Sequence, residues 1–211
     1  MLHLDPGDEN LFRPDWLTAV EAALDQVDAA PAPRALVTAG TGKFWTNGLD
    51  LEWLLSHEDQ GGAYVERVQA LLARTLAAPV LSVAAVNGHA FGAGAMWALA
   101  HDIRVMRADR GYFCLPEVDL GVPFQPGMAA LISSRLTAAT AHEAMTTGRR
   151  YGGEQALAAG IVDATSDADG ILAAAVELAR PLAGKSIPVR GQIKETLYAQ
   201  ALAALRAPAV A

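Results

Sequence analysis

The chain carries Lys43-Phe-Trp-Thr-Asn-Gly-Leu-Asp50 and, further on, Val86-Asn-Gly-His-Ala-Phe-Gly-Ala-Gly94. The residues from Val80 to Val86 are an apolar run rich in β-branched side chains, which predicts a buried strand that ends at the second glycine stretch. The residues after Gly94 predict a helix. A strand, a glycine turn and a helix in this order are typical of an α/β fold.

The alternation of predicted strands and helices continues on both sides of these stretches. Apolar runs predict strands at Met1–Leu4, Ala35–Thr38 and Asp102–Met106, and helical spacing predicts helices from Pro14 and over Ala63–Ala77. Periodicity alone does not choose between a layered and a spiral α/β fold.

The second half of the chain changes character. From Thr137 onward it is rich in alanine and reads as helical segments separated by glycines, with a final predicted helix at Val189–Leu205. We therefore divide the chain into a core, residues 1–165, and a C-terminal helical segment, residues 166–211, within one unit.

Composition limits the possible functions. The chain has 211 residues, of which 52% are hydrophobic and 18% charged, and this composition predicts a globular protein. The net charge of −7 argues against a nucleic-acid surface. We expect no signal peptide and no membrane span, and the single cysteine, Cys114, fits a reducing compartment, so the predicted location is cytoplasmic.

Several common motifs do not fit. Ala39-Gly-Thr-Gly-Lys43 lacks the first glycine and the Ser or Thr of a phosphate-binding loop, and the second glycine stretch lacks the dinucleotide-binding spacing. The chain has no serine-hydrolase elbow, and its histidines are dispersed without metal-ligand spacing, so we predict no metal site.

The two glycine stretches, followed by Leu115-Pro-Glu-Val-Asp-Leu-Gly121, resemble the enoyl-CoA hydratase/isomerase (crotonase) superfamily. The resemblance extends over residues 30 to 165 and includes Thr147-Gly-Arg-Arg-Tyr151. It implies a crotonase-like ββα spiral core and an acyl-CoA thioester substrate, with coenzyme A as part of the substrate and no separate cofactor. It also implies a homotrimer or a hexamer.

The resemblance further implies an oxyanion hole, in which two backbone N–H groups stabilise the negative charge of a thioester enolate. Matched onto this chain, the two donors are Leu49 and Ala93. The neighbouring Asn47, Gly48 and Gly94 are then expected to shape the substrate site, and Lys43 is a candidate contact for a CoA phosphate.

One carboxylate distinguishes between branches of the family. Hydratases of the family use two glutamates, but here the first position is Met96, which cannot transfer a proton, and only Glu117 remains. A single base is sufficient to move a double bond, so the sequence resembles the monofunctional Δ3,Δ2-enoyl-CoA isomerases. The dienoyl-CoA isomerase branch has an aspartate where this chain has Gln125.

Two alternatives to the isomerase stay open. Asp119 would share a face with Glu117 in an extended segment and could act as a second acid in hydration, hydrolysis or decarboxylation, although we expect it to be a structural hydrogen-bond acceptor. The chain could also be a non-catalytic acyl-CoA-binding protein.

Asp50 is expected to hold its loop. The candidates for an apolar pocket around the site, each with core packing as the alternative, are Trp45, Met96, Trp97 and Phe124.

Overall fold

We analysed a computed structural model that describes residues 1–4 and 7–210; Ala211, the last residue of the predicted helical segment, lies outside it. The strands are β1 (Leu2–His3), β2 (Ala35–Ala39), β3 (Phe44–Thr46), β4 (Leu81–Val86), β5 (His89–Phe91), β6 (Ile103–Arg107), β7 (Phe113–Cys114) and β8 (Ala164–Ser166). The α-helices are α1 (Pro14–Ala29), α2 (Leu51–Ser56), α3 (Gly61–Ala77), α4 (Ala93–Ala100), α5 (Glu117–Leu120), α6 (Pro126–Arg135), α7 (Ala138–Thr147), α8 (Gly153–Ala158), α9 (Ile171–Ala179), α10 (Ile187–Leu197) and α11 (Ala199–Leu205).

The strands form two parallel sheets. The larger sheet has five strands in the order β1-β2-β4-β6-β8, and the smaller has three in the order β3-β5-β7. From β2 onward, successive strands alternate between the two sheets, with helices between the pairs. Each ββα unit therefore adds one strand to each sheet and advances the chain along a spiral, which confirms the predicted fold class.

Alternation along the large sheet separates two apolar layers, because successive side chains of a strand point to opposite faces. On one face, Val37, Val83 and Val105 pack with residues of α9. On the other face, Leu36 and Met106 belong to the main core with residues of α1, α3 and α4.

Helix α4 lies at the centre of the molecule. All of its residues are buried, as expected for a helix that is apolar on every side. It begins at Ala93, slightly before the predicted start. Trp97 of this helix stacks on Trp45 at 5.1 Å between ring centroids, and the buried His101 just after the helix contacts both Trp97 O and the Thr38 hydroxyl. These contacts fix α4 against the strand that leads into the first glycine loop.

A buried ion pair attaches the C-terminal helices to the large sheet. Lys194 on α10 lies 2.7 Å from the Asp102 carboxylate and donates to Ala78 O at 2.8 Å. Asp102 also accepts from the backbone and the side chain of Ser82 on β4. Since Lys194 is almost fully buried, its charge fixes the position of α10.

One local prediction was wrong. The final helix is not continuous, because the backbone leaves helical geometry at Tyr198 and α10 and α11 are separate. The segment at Glu117 is a single helical turn, so the extended geometry in which Asp119 would share a face with Glu117 does not occur. No helix in residues 1–4 and 7–210 has both the length and the apolar character needed to cross a bilayer.

Candidate active site

The first glycine loop lies directly against the start of α4. Gly48 has φ of +79°, a conformation that favours glycine. A β-carbon built on Gly48 would lie 2.9 Å from the backbone N of Ala93 and 2.7 Å from Phe91 O. Only glycine allows this approach, so Leu49, the next residue, is held beside Ala93.

Asp50 anchors the same loop. Its carboxylate caps α2 by accepting from Trp53 N at 2.9 Å, and it pairs with Arg13 at 2.8 Å. Its backbone N donates to the Tyr64 hydroxyl. Burial opposes ionisation of this carboxyl, but the Trp53 N–H and the Arg13 guanidinium together hold its pKa below the usual range. These contacts give Asp50 a structural role in holding its loop.

The second glycine loop brings the N-terminus of α4 close to β3. Gly92 has φ of +51°, and a β-carbon on Gly94 would lie 2.6 Å from Thr46 O. Thr46 in turn accepts from Gly48 N and donates to Asn10 O. The two glycine loops are therefore packed together through backbone atoms.

This packing leaves two N–H groups beside each other. Among the described residues, neither Leu49 N nor Ala93 N donates to a protein acceptor. Ala93 is the first residue of α4, where N–H groups have no partner within the helix and the helix dipole favours negative charge. The pair can donate hydrogen bonds to a ligand oxygen.

Glu117 lies over this pair of loops. Its Oε1 is 3.6 Å from the position of a β-carbon on Gly92, the residue before Ala93. Its Oε2 is buried and has no hydrogen-bond partner in the described part of the chain. Burial raises the pKa of this carboxyl to about 7, although its own backbone N–H acts in the opposite direction. Such a group can both accept and return a proton near neutral pH.

A cavity of about 440 Å³ opens beside Glu117. The described residues that line it are predominantly apolar, and Glu117 is the only titratable side chain among them. These residues are Leu49, Leu51, Leu54, Leu55, Val65, Ala93, Met96, Glu117, Leu120, Val122, Pro123, Phe124, Gln125 and Met128.

The predicted pocket residues divide into two groups. Met96 and Phe124 line the cavity, as expected. Trp45 and Trp97 do not, because they are fully buried and stack on each other in the core. The sequence did not reveal Leu54, Val65 and Met128 as cavity residues, since apolar residues at helical spacing predict core packing equally well.

Other predicted residues lie outside the cavity. Asp119 is exposed, and its carboxylate lies 2.6 Å from the position of a β-carbon on Gly148, because a helical turn directs it away from Glu117. Asn47 donates from its side chain to Glu9 at 2.7 Å. Lys43 is exposed before β3, with its Nζ 5.1 Å from the centroid of the Phe44 ring.

The buried nucleophile Cys114 has no catalytic features. Its thiol donates to Gly148 O at 3.2 Å, and burial raises its pKa to about 11. A thiol in this state is a poor nucleophile.

Several curated proteins are similar to this chain in sequence. The chain is 36% identical over 211 residues to enoyl-CoA delta isomerase 3 of Arabidopsis thaliana, and the match covers 94% of this chain and 87% of that protein. Enoyl-CoA delta isomerase 2, peroxisomal, of the same plant is 34% identical over 94% of this chain and 88% of its own. A carnitinyl-CoA dehydratase of Citrobacter koseri is 33% identical over 76% of this chain and 61% of its own.

Solved structures agree with the fold. A probable enoyl-CoA hydratase from Mycobacterium tuberculosis H37Rv superposes with a TM-score of 0.91 and 31% identity, over 98% of this chain and 87% of that one. The apo structure of the same mycobacterial protein, described as an enoyl-CoA isomerase, superposes with a TM-score of 0.90 and 29% identity, over 97% of this chain and 88% of that one. Since residues 2–209 also match the family model for enoyl-CoA hydratase/isomerase, this chain belongs to the enoyl-CoA hydratase/isomerase (crotonase) family.

Proposed function

We propose that this protein is a Δ3,Δ2-enoyl-CoA isomerase, which moves a double bond from C3 to C2 of an enoyl-CoA thioester. One observation carries the proposal: among the described residues that line the cavity, Glu117 is the only side chain able to exchange a proton. The comparisons support the family and the class of thioester substrate, and named delta isomerases are among the relatives.

The proposed mechanism uses one base and two amides. The thioester carbonyl oxygen accepts hydrogen bonds from the N–H groups of Leu49 and Ala93. Glu117 removes a proton from C2, the electron pair of the broken C–H bond forms the enolate, and the negative charge spreads to the held oxygen. The protonated Glu117 then returns the proton at C4, which leaves the double bond between C2 and C3. A pKa of about 7 suits both steps.

Hydration would need a second group to position and activate water. Met96, at the position of the family's other glutamate, is buried and has no proton to exchange. Asp119 is exposed and outside the cavity, so its position does not support a role as a second acid. These two placements favour isomerisation over the hydratase and dehydratase reactions that other relatives are named for.

We propose that Lys43 contacts a phosphate of coenzyme A. Lys43 makes no ion pair in the described part of the chain, and its charge acts together with those of Arg150 and Arg110 to lower the pKa of His89, after the larger effect of burial. Three cations therefore act on one site of a chain with net charge −7, although the Glu9 carboxylate opposes their effect on His89. Such a site suits an anionic ligand.

The decisive experiment compares Glu117→Gln with the wild type on 3-enoyl-CoA and 2-enoyl-CoA. We expect the wild type to convert the 3-enoyl thioester into a conjugated isomer of unchanged mass, detected by ultraviolet absorbance and mass spectrometry. Loss of the general base should lower kcat by about 10²–10⁴-fold.

Asp119→Asn is the matched control, because it removes an exposed carboxylate from the same helical turn and should leave kcat unchanged. A product that has gained the mass of one water would establish hydration. Turnover retained by Glu117→Gln would refute the assigned base, and no turnover of any acyl-CoA by the wild type would favour a binding protein.

A further inference from the structure

The cavity is large compared with the atoms that react. A cavity of about 150 Å³ accommodates the six carbons of benzene. The cavity beside Glu117 measures about 440 Å³. At similar packing it has room for more than about a dozen carbon atoms, whereas the proposed reaction involves only the thioester carbonyl and C2 to C4.

The mouth of the cavity is also apolar. Four side chains that line it are unusually exposed for their type, with Leu55 at 74%, Leu120 at 54%, Val122 at 51% and Leu51 at 41%. Leu51 and Leu55 lie one turn apart on α2, a short helix with no buried residue. Exposed apolar side chains around a concave site indicate a surface that is covered in the bound state.

The apolar space is continuous with the position of the proposed base. Leu49, Ala93 and Glu117 line the same cavity as these apolar side chains, so a chain attached to the reacting atoms can extend into it. No described side chain that lines the cavity carries a positive charge, and Gln125 is its only amide. This chemistry suits an uncharged aliphatic chain.

The end of the described chain ties two walls of the cavity together. Gln125 exchanges two hydrogen bonds with the backbone of Val210, at 2.9 and 2.8 Å. Ala209 N donates at 3.1 Å to Glu66, the neighbour of the cavity residue Val65 on α3. The tail therefore links α3 to the segment before α6, and both of these contribute residues to the cavity wall.

We propose that the cavity selects enoyl thioesters of medium to long chain length, with an acyl chain on the order of ten carbons, over short ones. This inference rests on the proposed function for the identity of the reacting group. A short acyl chain would leave most of the cavity and its apolar mouth in contact with water.

The first test is a series of 3-enoyl-CoA substrates from hexenoyl through octenoyl, decenoyl and dodecenoyl to hexadecenoyl. We expect kcat/KM to rise by up to about fourfold for each methylene that enters the cavity, which corresponds to about 0.8 kcal/mol. The rise should end when the cavity is full. A profile that is flat or falls from hexenoyl to decenoyl would overturn the proposal.

A second measurement separates this inference from the proposed reaction. Binding of saturated acyl-CoAs of the same lengths to Glu117→Gln, measured by calorimetry, needs no turnover. If affinity for the variant increases with chain length but the wild type isomerises no 3-enoyl-CoA, the proposed reaction is refuted and the inference about chain length is retained. If the wild type isomerises 3-enoyl-CoA but affinity does not depend on chain length, the inference is refuted and the reaction is retained.

A pair of variants places the chain within the cavity. Val65→Phe adds a ring to the wall, and the rise in kcat/KM should end at a shorter chain. Ala63→Phe adds the same ring to an exposed position of the same helix and should leave the profile unchanged. If Val65→Phe fails to fold, the wild-type series and the binding series still decide the proposal.

Discussion

At the scale of single residues, the burial of Glu117 gives it a pKa suited to proton transfer but destabilises the folded protein. The carboxyl is held where burial raises its pKa to about 7 and where Oε2 has no described partner. Such a group is poised for proton transfer, but its ionised form is poorly solvated. Burial at this position therefore favours proton exchange by the carboxyl at the expense of the free energy of unfolding.

The cost predicts a pH-dependent effect of Glu117→Gln on the free energy of unfolding. With its folded pKa near 7 and its usual value near 4.5, Glu117 binds protons more tightly in the folded state. The contribution of Glu117 to the free energy of unfolding is therefore fully present below the unfolded pKa, and it is lost as pH rises through the folded pKa. Glutamine removes the buried charge, so the variant should be more stable than the wild type by about 1–3 kcal/mol above neutral pH.

Urea unfolding of both proteins at about pH 5 and about pH 8 measures this difference. The stabilisation by Glu117→Gln should be largest at the higher pH and small at the lower one. Other titrating groups affect both proteins and cancel in the comparison. An equal difference at both pH values would show that Glu117 has an ordinary pKa in the folded protein.

At the scale of elements, the strongly apolar segments were predictable and the shortest were not. The runs that form β4 and α4 are long enough for their pattern to be read from the sequence. The small sheet consists of β3, β5 and β7, which have only two or three residues each, too few for a period to emerge. The family resemblance, not periodicity, indicated that the loops after these strands would meet.

The turn at Glu117 shows the same limit. Pro116 and Gly121 enclose a single helical turn, in which Gly121 takes the left-handed conformation at the helix end. Four helical residues carry no periodic signal, so the sequence did not distinguish this turn from an extended segment. The difference changes the chemistry, because it separates Asp119 from Glu117.

The start of α4 gives an element-scale prediction about the two N–H groups. Proline is tolerated at the first helical position, where it removes only an N–H that has no partner within the helix. Ala93→Pro should therefore preserve the fold while it removes one proposed oxyanion donor. We expect kcat to fall by about 10²–10³-fold, since each such donor acts on the developing charge. Steady-state kinetics with a 3-enoyl-CoA measures the loss.

Ala93→Gly is the matched control because it changes the side chain and retains the N–H. Its kcat should stay within a few-fold of the wild-type value, with circular dichroism showing that both variants are folded. If Ala93→Pro keeps the wild-type kcat, the N–H of Ala93 is not a donor of the oxyanion hole.

At the scale of the whole molecule, the spiral assembles the site from segments that are distant in sequence. Parallel strands of one sheet end at the same edge. The segments that follow β3, β5 and β7 therefore meet, and they bring Leu49, Ala93 and Glu117 to one cavity. The order of the motifs along the chain was visible in the sequence, whereas their contact depends on sheet pairing.

The outer surface of α10 leads to a prediction about assembly. Val189, Ile193 and Leu197 follow one another at helical spacing and are 50%, 58% and 66% exposed. Such an apolar stripe costs free energy in water and is typical of an interface. We propose that a second copy of this chain covers the stripe in a homotrimer or hexamer. Ile193→Asp would place a charge in that interface and should reduce the assembly to monomers.

Light scattering and sedimentation at several protein concentrations measure the mass of each protein in solution. Ala139→Asp adds the same charge to an exposed position of another helix, α7, and should keep the wild-type mass. Because Lys194 anchors the opposite side of α10 through Asp102, the fold should survive the change at Ile193. A wild-type protein that is monomeric at all concentrations, or an Ile193→Asp variant that keeps the wild-type oligomeric mass, would show that the stripe is not the interface.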